Sequence, residues 1–93
     1  MRVLLIGADT SVGIALQSHL LRWGRHEVEP LNISACRWKS ERQAKKAARR
    51  GGCDVIIDTR IIAACDSGEI LHEIDIKRCH WLAKACQRSD IRY

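Results

Sequence analysis

The chain opens with four consecutive apolar residues, Val3-Leu4-Leu5-Ile6, and a run this short bounded by glycine fits a strand buried on both faces. The run breaks at Gly7, and helical spacing takes over with Thr10 or Ser11 as the N-cap. Val12, Ala15, Leu16, Leu20 and Trp23 then recur as a core-facing stripe, and Gly24 is placed to end the helix in a left-handed cap. From His26 to Leu31 the pattern alternates as a short strand, with Pro30 holding Glu29 extended. Ser40 to Arg50 reads as a second helix, closed by Gly51-Gly52. Asp54-Val-Ile-Ile-Asp58 is β-branched and tightly bounded, a third strand. The longest helical pattern runs from Ser67 or Gly68 to Arg88. On it, Leu71, Ile74, Trp81, Leu82 and Ala85 mark an apolar face, and Cys79, Ala83 and Cys86 a small-residue stripe. Ile91-Arg92-Tyr93 reads as the entry to a further strand.

Strands near 2–6, 26–31 and 54–58 alternating with helices predict a three-layer α/β fold, a Rossmann-like half domain (βαβαβα). Its sheet is parallel, with right-handed crossovers and the spatial order 2-1-3. The 93 residues read as one domain or part of one, and a hydrophobic fraction of 46% excludes wholesale disorder. No apolar run is long enough to span a membrane and no cleavable signal pattern follows Ile6, so the reading is cytoplasmic. A half sheet leaves an edge and apolar surface uncovered. The expectation is a truncated unit that self-associates or docks on a missing C-terminal half.

The five cysteines are an odd set with no C-x-x-C pair, which reads as reduced packing groups. His72, Cys79 and Cys86 recur every seven residues, but that step separates neighbours by roughly 10 Å along a helix. One zinc, with bonds near ~2.3 Å, cannot gather them. The net charge of +5 is concentrated in Arg37, Lys39, Arg42, Lys45, Lys46, Arg49 and Arg50, opposed there only by Glu41. A solvated helix face with Ala44, Ala47 and Ala48 inward explains that stripe. Nucleic-acid binding is the weaker reading, since no aromatic interleaving accompanies the charges.

The turn Gly7-Ala-Asp-Thr-Ser-Val-Gly13 joins a buried strand to a helix N-terminus, the arrangement that receives a dinucleotide pyrophosphate. Its spacing is G-x-x-G-x-x-G with Thr10 at the middle position. Together with EVEPLNIS (27–34), CDVIIDTR (53–60), ILHEIDIKRCHWLAKACQ (70–87) and the closing DIRY, the segment VLLIGADTSVG (3–13) resembles the N-terminal half of extended short-chain dehydrogenases/reductases. The dTDP-4-dehydrorhamnose reductase-like, sugar-nucleotide-binding branch is the most similar. The resemblance implies an NAD(P) cofactor held by Gly7, Asp9, Thr10, Ser11, Val12 and Gly13. Asn32 and Arg37 would lie at the adenosine ribose, and Asp58, Thr59 and Arg60 at the second ribose.

Three departures from that pattern matter. Thr10 places a side chain where pyrophosphate approaches. Asn32 stands where NAD-specific members carry an acid, which favours NADP, with Arg37 or Lys39 as the cationic partner. Asp58-Thr59-Arg60 replaces the small Asn-Ala-Ala strand end, so Arg60 either crowds the ribose site or directs its charge toward phosphate. The family transfers hydride with a Ser/Thr and a Tyr-x-x-x-Lys pair. Here the single tyrosine is Tyr93 and no lysine follows it, so no catalytic residue is assigned. Two functions stay open besides nucleic-acid binding: a dinucleotide-binding module not catalytic by itself, and a non-catalytic interaction protein that kept the scaffold and lost the cofactor.

Overall fold

A computed structural model describes residues 1–24, 26–50, 52–62 and 73–93, with the backbone alone at positions 23 and 50. In chain order the elements are strand β1 (Arg2–Ile6), helix α1 (Ser11–Trp23), strand β2 (Glu27–Leu31), a 3-10 turn (Ile33–Cys36), helix α2 (Glu41–Arg50), strand β3 (Val55–Asp58) and helix α3 (Glu73–Ser89). The strands form one parallel sheet in the order β2-β1-β3, so the expected Rossmann-like topology is the one found. Val3 faces Val28 on one side and Val55 on the other, and Ile6 faces Leu31 and Asp58. The expected starts of the third helix, Ser67 and Gly68, and its residues Ile70, Leu71 and His72 lie outside the described residues.

Strand alternation sends Leu4 and Ile6 to one face of the sheet and Val3 and Leu5 to the other. On the first face Leu4, Ile6 and Ile56 pack with Trp38, Ala44, Ala48, Leu82, Ala85 and Cys86, which places α2 and α3 side by side over the sheet. Helix α1 packs against β1 and β2. Leu5, Ile6 and Ile56 are almost wholly inside, and burying each contributes about 1.5–3 kcal/mol. The alanines explain the close α2 seat, since Ala44 and Ala48 are both fully buried.

Several expectations need correction. Gly24 ends α1 in extended backbone (φ −125°, ψ 162°), not in a left-handed cap, because the chain runs directly into β2. Ala15 is exposed, and Val12, Leu16 and Leu20 are only half-buried, so α1 covers its face of the sheet thinly. Ile74 is 40% exposed, whereas Leu82 is wholly buried against α2 and the sheet. The C-terminal half of α3 is thus covered at Leu82, Ala85 and Cys86, while Ile74 and Ile76 near its start are exposed.

Two features mark the sheet's edges. Glu27 N donates to Met1 O at 3.0 Å and Gly7 N to Leu31 O at 2.8 Å. Parallel pairing through these residues turns Pro30, which has no N–H, toward the open side of β2. On the other side, Asp90 takes a left-handed φ of 60° and brings Arg92 alongside β3. Ile56 N donates to Arg92 O at 2.8 Å and Arg92 N to Asp54 O at 3.1 Å, a parallel bridge where the further strand was expected.

Candidate nucleotide-binding turn and the buried Asp58–Arg60 pair

In an open parallel sheet, ligands bind beyond the strand C-termini where the strand order reverses. Here that place lies between the ends of β1 and β3, at Gly7 and Thr59. Gly7 has φ +82°, a left-handed conformation that only glycine adopts without cost. A Cβ at Gly13 would overlap the Gly7 carbonyl oxygen, so α1 approaches the strand as closely as backbone allows. Gly7 thus permits the tight turn and Gly13 the close packing of helix on strand.

Thr10, at the middle position of the turn, acts through its side chain. Its Oγ1 donates to Gly7 O at 2.7 Å and accepts from Gly13 N at 3.0 Å, capping α1. Thr59 Oγ1 donates to Ile6 O at 2.8 Å and lies 3.3 Å from Thr10 Oγ1. The mouth between β1 and β3 is therefore lined by two hydroxyls turned onto carbonyls. Gly7 N and Ala8 N donate to Leu31 O. Ser11 and Val12, in the first turn of α1, have no intrahelical acceptor for their N–H groups. They are the donors this turn can offer an anion.

The structure brings the turn and the end of β2 together. Asp9 Oδ1 accepts from Ile33 N at 3.1 Å, which sets exposed Asn32 beside the turn. Arg37 is exposed just past the 3-10 turn, and no hydrogen bond joins it to the other candidate residues among those described.

Asp58 and Arg60 form a separate arrangement. Their side chains are 6% and 5% exposed, and Arg60 Nε donates to Asp58 Oδ1 at 2.9 Å. Arg60 N also donates to that oxygen at 3.1 Å, the local bond typical of an aspartate opening a turn. The guanidinium carbon sits 5.3 Å from the centre of the Trp38 ring. Tyr93 OH donates to Asp58 Oδ2 at 2.9 Å, and Cys79 Sγ lies 3.6 Å from the same oxygen. Arg60 thus points inward, and its charge is answered by Asp58 rather than by a phosphate. Its buried Nη1 has no hydrogen-bond partner among the described residues.

Burial alone would raise the Asp58 carboxyl, but the Arg60 bonds and charge outweigh it and hold the group below the usual range. Arg60 follows the same balance in reverse and is held further above its ordinary value. Burial and then the Asp58 charge push the Tyr93 phenol upward, so it is a donor and not an activated acid/base. Burial also raises Cys36 and Cys86, each to about 11, and shifts Cys53 and Cys79 in the same direction. These thiols are free, and no metal-binding group of His, Cys, Asp or Glu occurs among the described residues.

The sequence named Asp58, Thr59 and Arg60 but missed Trp38, Cys79 and Tyr93 as their surroundings. A tryptophan inside the polar run Arg37-Trp38-Lys39 was the available signal. No helix among the described residues is long and apolar enough to cross a membrane. Comparison with family models, characterised proteins and solved structures finds no match to this chain.

Proposed function

We propose that the chain is a Rossmann-type dinucleotide-binding unit that seats a pyrophosphate at the β1–α1 turn and is not catalytic by itself. The observation that carries this reading is the Gly7–Gly13 approach, in which a left-handed glycine and a Cβ-free first helical turn bring α1 onto the end of β1. In this reading Ser11 and Val12 supply backbone donors, Thr10 orients the turn, and Asn32 meets the adenosine ribose. Asn32 adds no negative charge there, which favours NADP over NAD, with Arg37 as the nearest cation in sequence. Such a cofactor carries a hydride when bound; the residues here bind and orient it. The proposed affiliation remains the dTDP-4-dehydrorhamnose reductase-like branch of the extended short-chain dehydrogenases/reductases, whose Tyr-x-x-x-Lys pair this chain lacks.

Isothermal titration with NADPH and NADH tests the reading. Saturable binding, tighter for NADPH, is expected. Absence of saturation at millimolar cofactor overturns it.

A second reading has a specific observation behind it: a non-catalytic interaction protein on the same scaffold. Thr59 occupies the space beside Gly7 and Arg60 is turned into the interior, so neither offers a group to the second ribose. That reading gains support if cofactor is not bound and the intact chain forms a stable complex with a partner protein.

A further inference from the structure

We infer that the outer surface shared by α2 and α3 binds the sugar-phosphate backbone of a nucleic-acid duplex. Arg42, Lys46 and Arg49 are exposed on α2 at steps of four and three residues. At ~1.5 Å per residue they form a stripe about 10 Å long. Helix α3 packs beside α2 and contributes exposed Lys84 and Arg88. Arg49 Nε donates to Ser89 Oγ at 3.2 Å, so this cation sits at the seam between the helices. Lys84 and Arg88 share one carboxylate, Glu41, each at 3.9 Å. Two neighbouring helices thus contribute five exposed cations, two of them sharing the Glu41 carboxylate.

The composition of the surface selects the partner. Ala44 and Ala48 are fully buried, and the exposed residues of α2 are Arg42, Gln43, Lys46 and Arg49. Among the described residues, the α2 part of this surface has no apolar group to insert into lipid and no apolar centre for a protein interface. Trp38 is 6% exposed beneath Arg60, so it offers no platform for an unpaired base. Closely spaced phosphates remain the matching chemistry, and DNA and RNA duplexes share it. In the sequence the stripe was charge alone; the fold adds the second helix and removes the competing partners.

Fluorescence anisotropy with labelled DNA and RNA duplexes of about 20 base pairs, across roughly 30–300 mM salt, tests the inference. Binding is expected with a log–log salt slope of about −4.5 if all five cations are engaged, since each neutralised phosphate contributes about −0.9 on B-DNA. Arg42→Gln with Lys46→Gln should reduce the magnitude of that slope by about 1.8. The control pair Arg2→Gln with Arg22→Gln removes the same charge from β1 and α1 and should leave it unchanged. Binding of both duplexes, or of one alone, with loss confined to the α2 variant supports the site and names its source. Three results overturn it: no binding at low salt, equal loss in both variants, or tighter binding to polyglutamate or anionic vesicles than to either duplex.

Discussion

The hydroxyl of Thr59, the residue just past β3, donates to the carbonyl of Ile6, the last residue of β1, at 2.8 Å, at the point where the strand order reverses. Ile6 O also accepts Thr59 N at 3.1 Å, so the carbonyl keeps one partner when the hydroxyl is removed. Thr59→Val, which preserves shape, should therefore cost only about 0.5–1.5 kcal/mol. The urea midpoint measures it; a loss several times larger would show that the hydroxyl organises the whole turn.

Gly13→Val places its Cβ against the Gly7 carbonyl, which is backbone and cannot swing aside. The expected cost is about 1–3 kcal/mol from overpacking. An unchanged denaturation midpoint would contradict the close helix–strand approach.

Arg60→Met leaves the Asp58 carboxylate buried without its cation, and breaking such a pair costs about 3–5 kcal/mol. Replacing both, as Asp58→Leu with Arg60→Met, should recover much of that loss. Urea denaturation of the two variants distinguishes pairing from simple packing.

The same pair sets a pH dependence. In the native chain Asp58 titrates below its unfolded value, so its stabilisation is complete above the unfolded carboxylate pKa and disappears as pH falls through the folded one. In Arg60→Met the Tyr93 hydroxyl and the residue-60 N–H still lower the carboxyl, but burial, the largest influence, loses its strongest opponents and raises it, so that variant's deficit should shrink as pH falls into the acid range. Parallel stability curves for the two proteins from neutral to acid pH would refute this.

Cys36 and Cys86 are buried with thiols pushed to about 11, so few thiolates form near neutral pH. Alkylation followed by peptide mass spectrometry should leave both unmodified in the native protein and label both in denaturant. Native labelling of Cys86 at a rate matching the denatured chain would place it outside the core.

Strands β1 and β3 were legible as apolar runs bounded by glycine or aspartate, and the strand order followed from the right-handedness of short crossovers. Helix α2 was legible from its alanines, which fall at helical spacing. The end of α1 was misread because Gly24 permits a left-handed cap without requiring one, and the short path to β2 decided otherwise. The turn residues were legible from their spacing. The fate of Arg60 was not, because its partner Asp58 and its neighbours Trp38 and Tyr93 meet only once β3, the 3-10 turn and the chain beyond α3 converge. Charge in a sequence gives no direction.

Pro30 carries a consequence for assembly. With its nitrogen facing outward, β2 offers an incoming strand one donor fewer, whereas the β3 side already accepts Arg92 and continues into an open groove along Val55, Ile57 and Tyr93. The sheet is thus less open to lengthening on the β2 side than on the β3 side. Two copies meeting through the β3 side would present a proline-bearing margin at each end, which disfavours propagation into a fibre.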